Sequence, residues 1–210
     1  MTNRAKWLSA TLGLAAILLL EGGAQADTIT YQISVDTGSV QSTSGYLDFQ
    51  FNPGNPPTDP ASATLTDFTT DATLTGPLLP DFGAVTGTLP GTVEIDNTDA
   101  LNEHTEGVIY GSFFDVFVTL DIPTVSGTAT SGSSFALSVW DTNFNPVLTG
   151  DPLVEIDLDA TTGNPSVTNN SVNGDAVVTE VTQAPEPGSL LLVATVFIGA
   201  VVLRRRFRAA

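Results

Sequence analysis

Asp141-Thr142-Asn143-Phe144-Asn145 has the D-x-N-x-N spacing that opens a calcium loop, in which carboxylate and amide oxygens converge on a hard cation. The pattern then breaks, because Pro146 stands in place of the loop glycine and Pro152 in place of the bidentate acid. Ile156-Asp157-Leu158-Asp159 puts two acids on one face of a strand, and Asp96, Asn97 and Asp99 form a third oxygen-rich cluster. Asp141, Asn143, Asn145, Asp157 and Asp159 are therefore the candidate calcium ligands, weighed against the commoner role of Asx residues as turn formers.

Other chemistry is sparsely provided. Nucleophilic catalysis needs a nucleophile beside a base, and His104, the single histidine, lies in the polar run Asn102-Glu103-His104-Thr105-Glu106, where a solvated loop is expected. There is no G-x-S-x-G elbow, no set of His and Cys ligands for zinc, and no lysine in the Gly-rich turns to hold a phosphate. Paired carboxylates for glycoside hydrolysis are a trailing third reading, since acids are so numerous that some fall near one another by statistics alone and the pair's geometry is not visible in sequence. No catalytic residue is expected, and the chain reads as a non-enzyme with calcium as its one candidate cofactor. Tyr46, Trp140 and Phe144 are candidates for the aromatic platform of a sugar site, although core packing is the expectation for all three, since Trp140 ends an apolar strand.

The charge distribution narrows the partners. Arg4 and Lys6 lie near the N-terminus and Arg204, Arg205, Arg206 and Arg208 near the C-terminus, so residues 27–184 contain no lysine or arginine but 21 of the 23 acids. Nucleic acid is excluded as a partner, since phosphate binding needs basic side chains. Anionic ligands are disfavoured, whereas cations, neutral glycans and basic proteins fit the field. The chain has no cysteine, so no disulfide assists folding and no lipoprotein anchor is available.

The elements that position these residues are strands. Ile29, Tyr31, Ile33 and Val35 alternate with polar residues, as do Leu47, Phe49 and Phe51, which is the period of half-buried strands. Further strands are expected at 63–74, 92–96, 108–122, 134–140, 154–158 and 176–181, bounded by turn chemistry such as Asn52-Pro53-Gly54 and Thr162-Gly163-Asn164-Pro165. The run 108–122 changes phase at Phe113-Phe114, which predicts a β-bulge or burial of both faces. One short helix is expected at 98–106, capped by Thr98. About eight strands at this spacing predict an all-β fold, a single antiparallel β-sandwich or jelly roll.

Residues 1–26 have the form of a signal peptide: a basic start, an apolar run from Trp7 to Leu20, and Ala24-Gln25-Ala26 as the Ala-x-Ala cleavage site for signal peptidase. Residues 27–182 are then the acidic domain and 183–210 a tail. In that tail Pro185, Glu186 and Pro187 block helix continuation, and an apolar segment at 188–203 spans roughly 24 Å as a helix, short of the ~30 Å bilayer core. Arg204, Arg205, Arg206 and Arg208 hold its far flank in the cytoplasm by the positive-inside rule.

Pro-Glu-Pro, a short apolar helix and an arginine cluster in this order resemble the PEP-CTERM sorting signal of exported bacterial proteins. The resemblance implies processing by an exosortase in a Gram-negative bacterium that makes exopolysaccharide, transient residence in the inner membrane, and a destination at the cell surface or in the extracellular matrix. Through Tyr31-Gln32, Gly45 to Gly54, Ala100-Leu101-Asn102-Glu103 and Tyr110-Gly111 the domain is also similar to a group of uncharacterised PEP-CTERM proteins, which implies no activity. A secreted polysaccharide-binding module, with or without calcium, is the alternative expectation.

Overall fold

A computed structural model describes residues 27–77, 80–122, 125–148 and 150–181. The signal segment with Ala24 and Ala26, and the tail with Pro185, Glu186, Pro187, its apolar segment and its arginines, lie outside the described residues. Among the described residues twelve strands run in chain order: β1 Asp27–Asp36, β2 Ser44–Pro53, β3 Ser62–Thr70, β4 Thr73–Pro77, β5 Val85–Gly87, β6 Val93–Asp96, β7 Glu103–Ile109, β8 Phe113–Ile122, β9 Ser133–Asp141, β10 Val154–Leu158, β11 Pro165–Asn169 and β12 Ala176–Val181. They form two antiparallel six-stranded sheets, ordered β12-β1-β8-β3-β6-β5 and β11-β10-β9-β2-β7-β4. The two sheets pack face to face as a β-sandwich.

The core follows from the alternation. Tyr31, Ile33, Leu65, Val93, Ile95, Val116, Val118 and Leu120 of the first sheet face Leu47, Phe49, Phe51, Phe135, Leu137, Val139 and Ile156 of the second, all buried in one cluster. Each such side chain contributes about 1.5–3 kcal/mol by leaving water. This burial carries the fold in place of disulfides and of ion pairs to Lys or Arg, because the residues between the two basic segments contain neither.

Two expected strands are each a pair of strands. The run 63–74 divides at Asp71-Ala72 into β3 and β4, and the run 108–122 divides at Tyr110-Gly111-Ser112 into β7 and β8; in both cases the chain passes from one sheet to the other. The phase change at Phe113-Phe114 is thus neither a bulge nor double burial: it marks a corner. The two corners clip together, with Asp71 Oδ1 accepting from the backbone N–H groups of Ser112 (2.7 Å) and Phe113 (3.2 Å), and Asp71 Oδ2 accepting from Ser112 Oγ (2.7 Å). A side chain at Gly111 would put its Cβ 2.0 Å from Asp71 Oδ1, so the clip requires glycine there.

The expected helix at 98–106 does not form. Residues 97–100 make a turn and Glu103–Ile109 is strand β7, held between β2 and β4. Helix propensity over so short a segment is weak, and pairing on both edges overrides it.

Candidate functional site on the outer face of the second sheet

The register of β2 with its neighbours decides which side chains share a face. Tyr46, Asp48 and Gln50 pair with Trp140, Ser138 and Ala136 on β9 and with Gly107, Thr105 and Glu103 on β7. Directly opposed residues lie on one side of the sheet, and here it is the side away from the core residues Leu47, Phe49 and Phe51. Tyr46 and Trp140 therefore stand on the outer face, half-buried, and not in the core as expected. Phe144, in the loop after β9, is 47% exposed. Its ring stacks on Tyr46 at 5.1 Å and 18° and meets Trp140 edge-on at 5.5 Å and 86°.

Beside these rings runs a groove of about 340 Å³ lined by Ser44, Tyr46, Thr75, Gly107, Ile109 and Thr142, among others. Gly107 makes its floor. A Cβ there would approach Thr75 Oγ1 to 2.4 Å, so the absent side chain allows the bulged edge strand β4 to lean over β7 at Leu74–Gly76. Beneath, the buried Tyr110 hydroxyl lies 2.9 Å from the carbonyl oxygen of Tyr46 and 2.8 Å from that of Trp140, fixing the backbone that carries both rings.

Further along the same face stands a row of acids. Asp48 is 4% exposed; its Oδ2 accepts from Gln50 Nε2 at 2.8 Å, while Oδ1 has no hydrogen-bond partner among the described residues. Burial first, then the neighbouring Glu103 and Asp151 carboxylates, push its pKa up to about 7, against the lowering effect of the Gln50 hydrogen bond. Glu103 accepts from Thr105 Oγ1 (3.0 Å) and Asp151 from Ser138 Oγ (2.9 Å).

On the inner face the structure corrects the expectation for His104. It is 1% exposed, on β7 opposite Phe49. Its Nδ1 is 2.8 Å from Asp81 Oδ1 and its Nε2 is 3.9 Å from Glu106 Oε2. Glu106 Oε1 accepts from the Gly76 backbone N–H at 2.8 Å. Burial raises the Glu106 pKa, opposed by that N–H and by His104. With a carboxylate facing each ring nitrogen and the core on one side, His104 is enclosed between Asp81 and Glu106 and does not lie in a solvated loop.

The candidate calcium ligands are not brought together. Asp141 ends β9, whereas Asp157 on β10 pairs with Ser134 near the start of β9, seven residues and roughly 24 Å away at about 3.4 Å per residue. Asp141 Oδ1 accepts from the backbone N–H of Asn143 (2.7 Å) and of Asn145 (2.9 Å), and the Asn145 side-chain amide donates to Oδ2 at 3.0 Å. That carboxylate organises a turn, and these hydrogen bonds lower its pKa. Asp159 does not share the face of Asp157: the strand ends at Leu158, and Asp159 Oδ1 accepts from the backbone and hydroxyl groups of Thr161 and Thr162. Asn97, from the third cluster, is buried and bridges Ala61, Asp59 and Ser133. Among the described residues no group of three His, Cys, Asp or Glu is placed to hold a metal ion.

The last strand, β12, ends at Val181 on a sheet edge, two residues before a segment whose order of prolines, apolar residues and arginines matches a family model. Residues 183–206 are a PEP-CTERM protein-sorting motif. The PEP-CTERM motif implies an exported protein, anchored in a membrane before an exosortase processes it. Comparison with curated proteins and with solved structures gives no match. The PEP-CTERM assignment thus concerns 24 residues at one end of the chain, and the acidic sandwich that precedes them has to be interpreted from its own geometry.

Proposed function

We propose that this PEP-CTERM protein is a non-catalytic component of the cell surface or the extracellular polysaccharide matrix of a Gram-negative bacterium. Signal peptidase removes residues 1–26, the arginine cluster keeps the C-terminus cytoplasmic, and exosortase then releases the acidic β-sandwich. The observation that carries the reading is the sorting motif that follows, in sequence, the edge strand β12 of a single acidic sandwich. Its non-catalytic character is supported by the placement of His104 against two carboxylates on the core side of β7. No cofactor is needed for such a role.

The test is made on isolated extracellular matrix. The protein should sediment with the polysaccharide, be freed by glycosidase digestion, and release no reducing ends from a panel of polysaccharides. Protein that stays in the culture medium, free of polysaccharide, would refute the matrix role, and released reducing ends would refute the non-catalytic one. A second reading, a polysaccharide-binding module, is favoured by the partly exposed aromatic cluster beside a groove on the outer face.

A further inference from the structure

Phe144 occupies a position that its own turn does not favour. Its φ is +60°, the left-handed region where a Cβ is crowded and glycine or asparagine is usual. The turn around it is otherwise well made: Asp141 caps it through Asn143 and Asn145, and the Phe144 N–H donates to the Asp141 carbonyl at 3.1 Å. Strained residues of this kind collect at ligand clamps. What the strain maintains here is a half-exposed ring, 47% accessible, braced by Trp140 and stacked on Tyr46, which itself lines the groove.

We infer that the Tyr46–Phe144–Trp140 cluster and the adjoining groove over Gly107 bind an uncharged polysaccharide chain, with pyranose C–H faces against the rings and hydroxyls against Ser44, Thr75 and Thr142. The inference rests on the polysaccharide-binding reading and names its site and ligand class. The volume of about 340 Å³ falls within the range of small-molecule sites, which combine apolar walls with a few placed polar groups. Charge decides the ligand. The groove lining carries no ionised side chain, so the carboxylate of an anionic glycan finds no counter-ion there. The 21 acids of the surrounding domain, unaccompanied by Lys or Arg, repel anionic chains from the whole surface.

The test uses the full chain in a detergent without sugar head groups, run in native gels containing hydroxyethylcellulose, laminarin or soluble starch, with alginate and chitosan as charged arms. At least one neutral polymer should retard the protein. Phe144→Gly, which suits the backbone, should weaken that retardation at least tenfold while its melting temperature stays within a few degrees of the parent, and Tyr46→Ala should weaken it likewise. Retardation by none of the neutral polymers, by chitosan alone, or equally in parent and Phe144→Gly would overturn the inference. A protein that is exported and trimmed but bound by none of these polymers refutes this site and leaves the surface role standing.

Discussion

Asp48→Asn should make the protein more stable at pH 8 and leave it nearly unchanged at pH 4. Asp48 is buried on the outer face, with one oxygen unpartnered among the described residues and with Glu103 and Asp151 beside it. Its pKa rises from 3.8 to about 7 on folding, burial being the largest cause. A carboxyl whose folded pKa is raised holds its proton more tightly in the native state, so stability is fullest below about 4 and falls as pH rises towards 7. At about 1.36 kcal/mol per pKa unit, a rise of about three units corresponds to a loss on the order of 4 kcal/mol by pH 8. Asparagine is uncharged throughout, its oxygen can still accept from Gln50, and its amide can donate towards Glu103. Urea denaturation at pH 4 and pH 8 measures the effect; with a slope of about 2 kcal/mol per molar, the variant's midpoint at pH 8 should exceed the parent's by up to about 2 M. The exposed Asp59, Asp71, Asp141 and Asp159 have lowered pKa values, Asp159 down to about 2, so their contributions are lost only below about pH 4, outside this window. Parallel pH profiles of parent and variant would refute the assignment of a costly buried charge to Asp48.

Two further substitutions probe the framework. Glu106→Gln keeps an acceptor for Gly76 but removes a buried acid whose raised pKa makes it lose stability with rising pH, so the variant's melting temperature should fall less than the parent's between pH 5 and pH 9; an unchanged slope would count against the buried pair. Gly111→Ala should destabilise by about 1–3 kcal/mol through overpacking, since its Cβ would meet Asp71 Oδ1 at 2.0 Å and the Ala72 nitrogen at 2.6 Å. Adding Asp71→Ala should recover part of that loss in a double-mutant cycle, and strict additivity would show that the corners do not clip.

Much of the sandwich was legible because strand alternation was bounded by turn residues: 154–158 and 176–181 agree with the observed strands residue for residue. The corners were harder to see. A passage between sheets takes only Asp71-Ala72 or Tyr110-Gly111-Ser112, too few residues to interrupt an apolar run, and the phase slip at Phe113-Phe114 was its only trace. Strand β7 was hidden because its inward positions include His104 and Glu106, so the period-two signal reads as a polar loop. A signal for the outward Trp140 was present: Phe135, Leu137 and Val139 define the buried phase, and Trp140 falls out of it. The groove could not be foreseen, since it depends on the pairing of Gly107 with Tyr46 across strands 61 residues apart.

Sorting is tested most directly by the mass of the C-terminal peptide of the exported protein, compared between the parent and Glu186→Ala. Released parent protein should end ahead of the apolar segment and lack Arg204 to Arg208, whereas Glu186→Ala should retain them and stay in the inner membrane. The same C-terminus and the same location in both would contradict it.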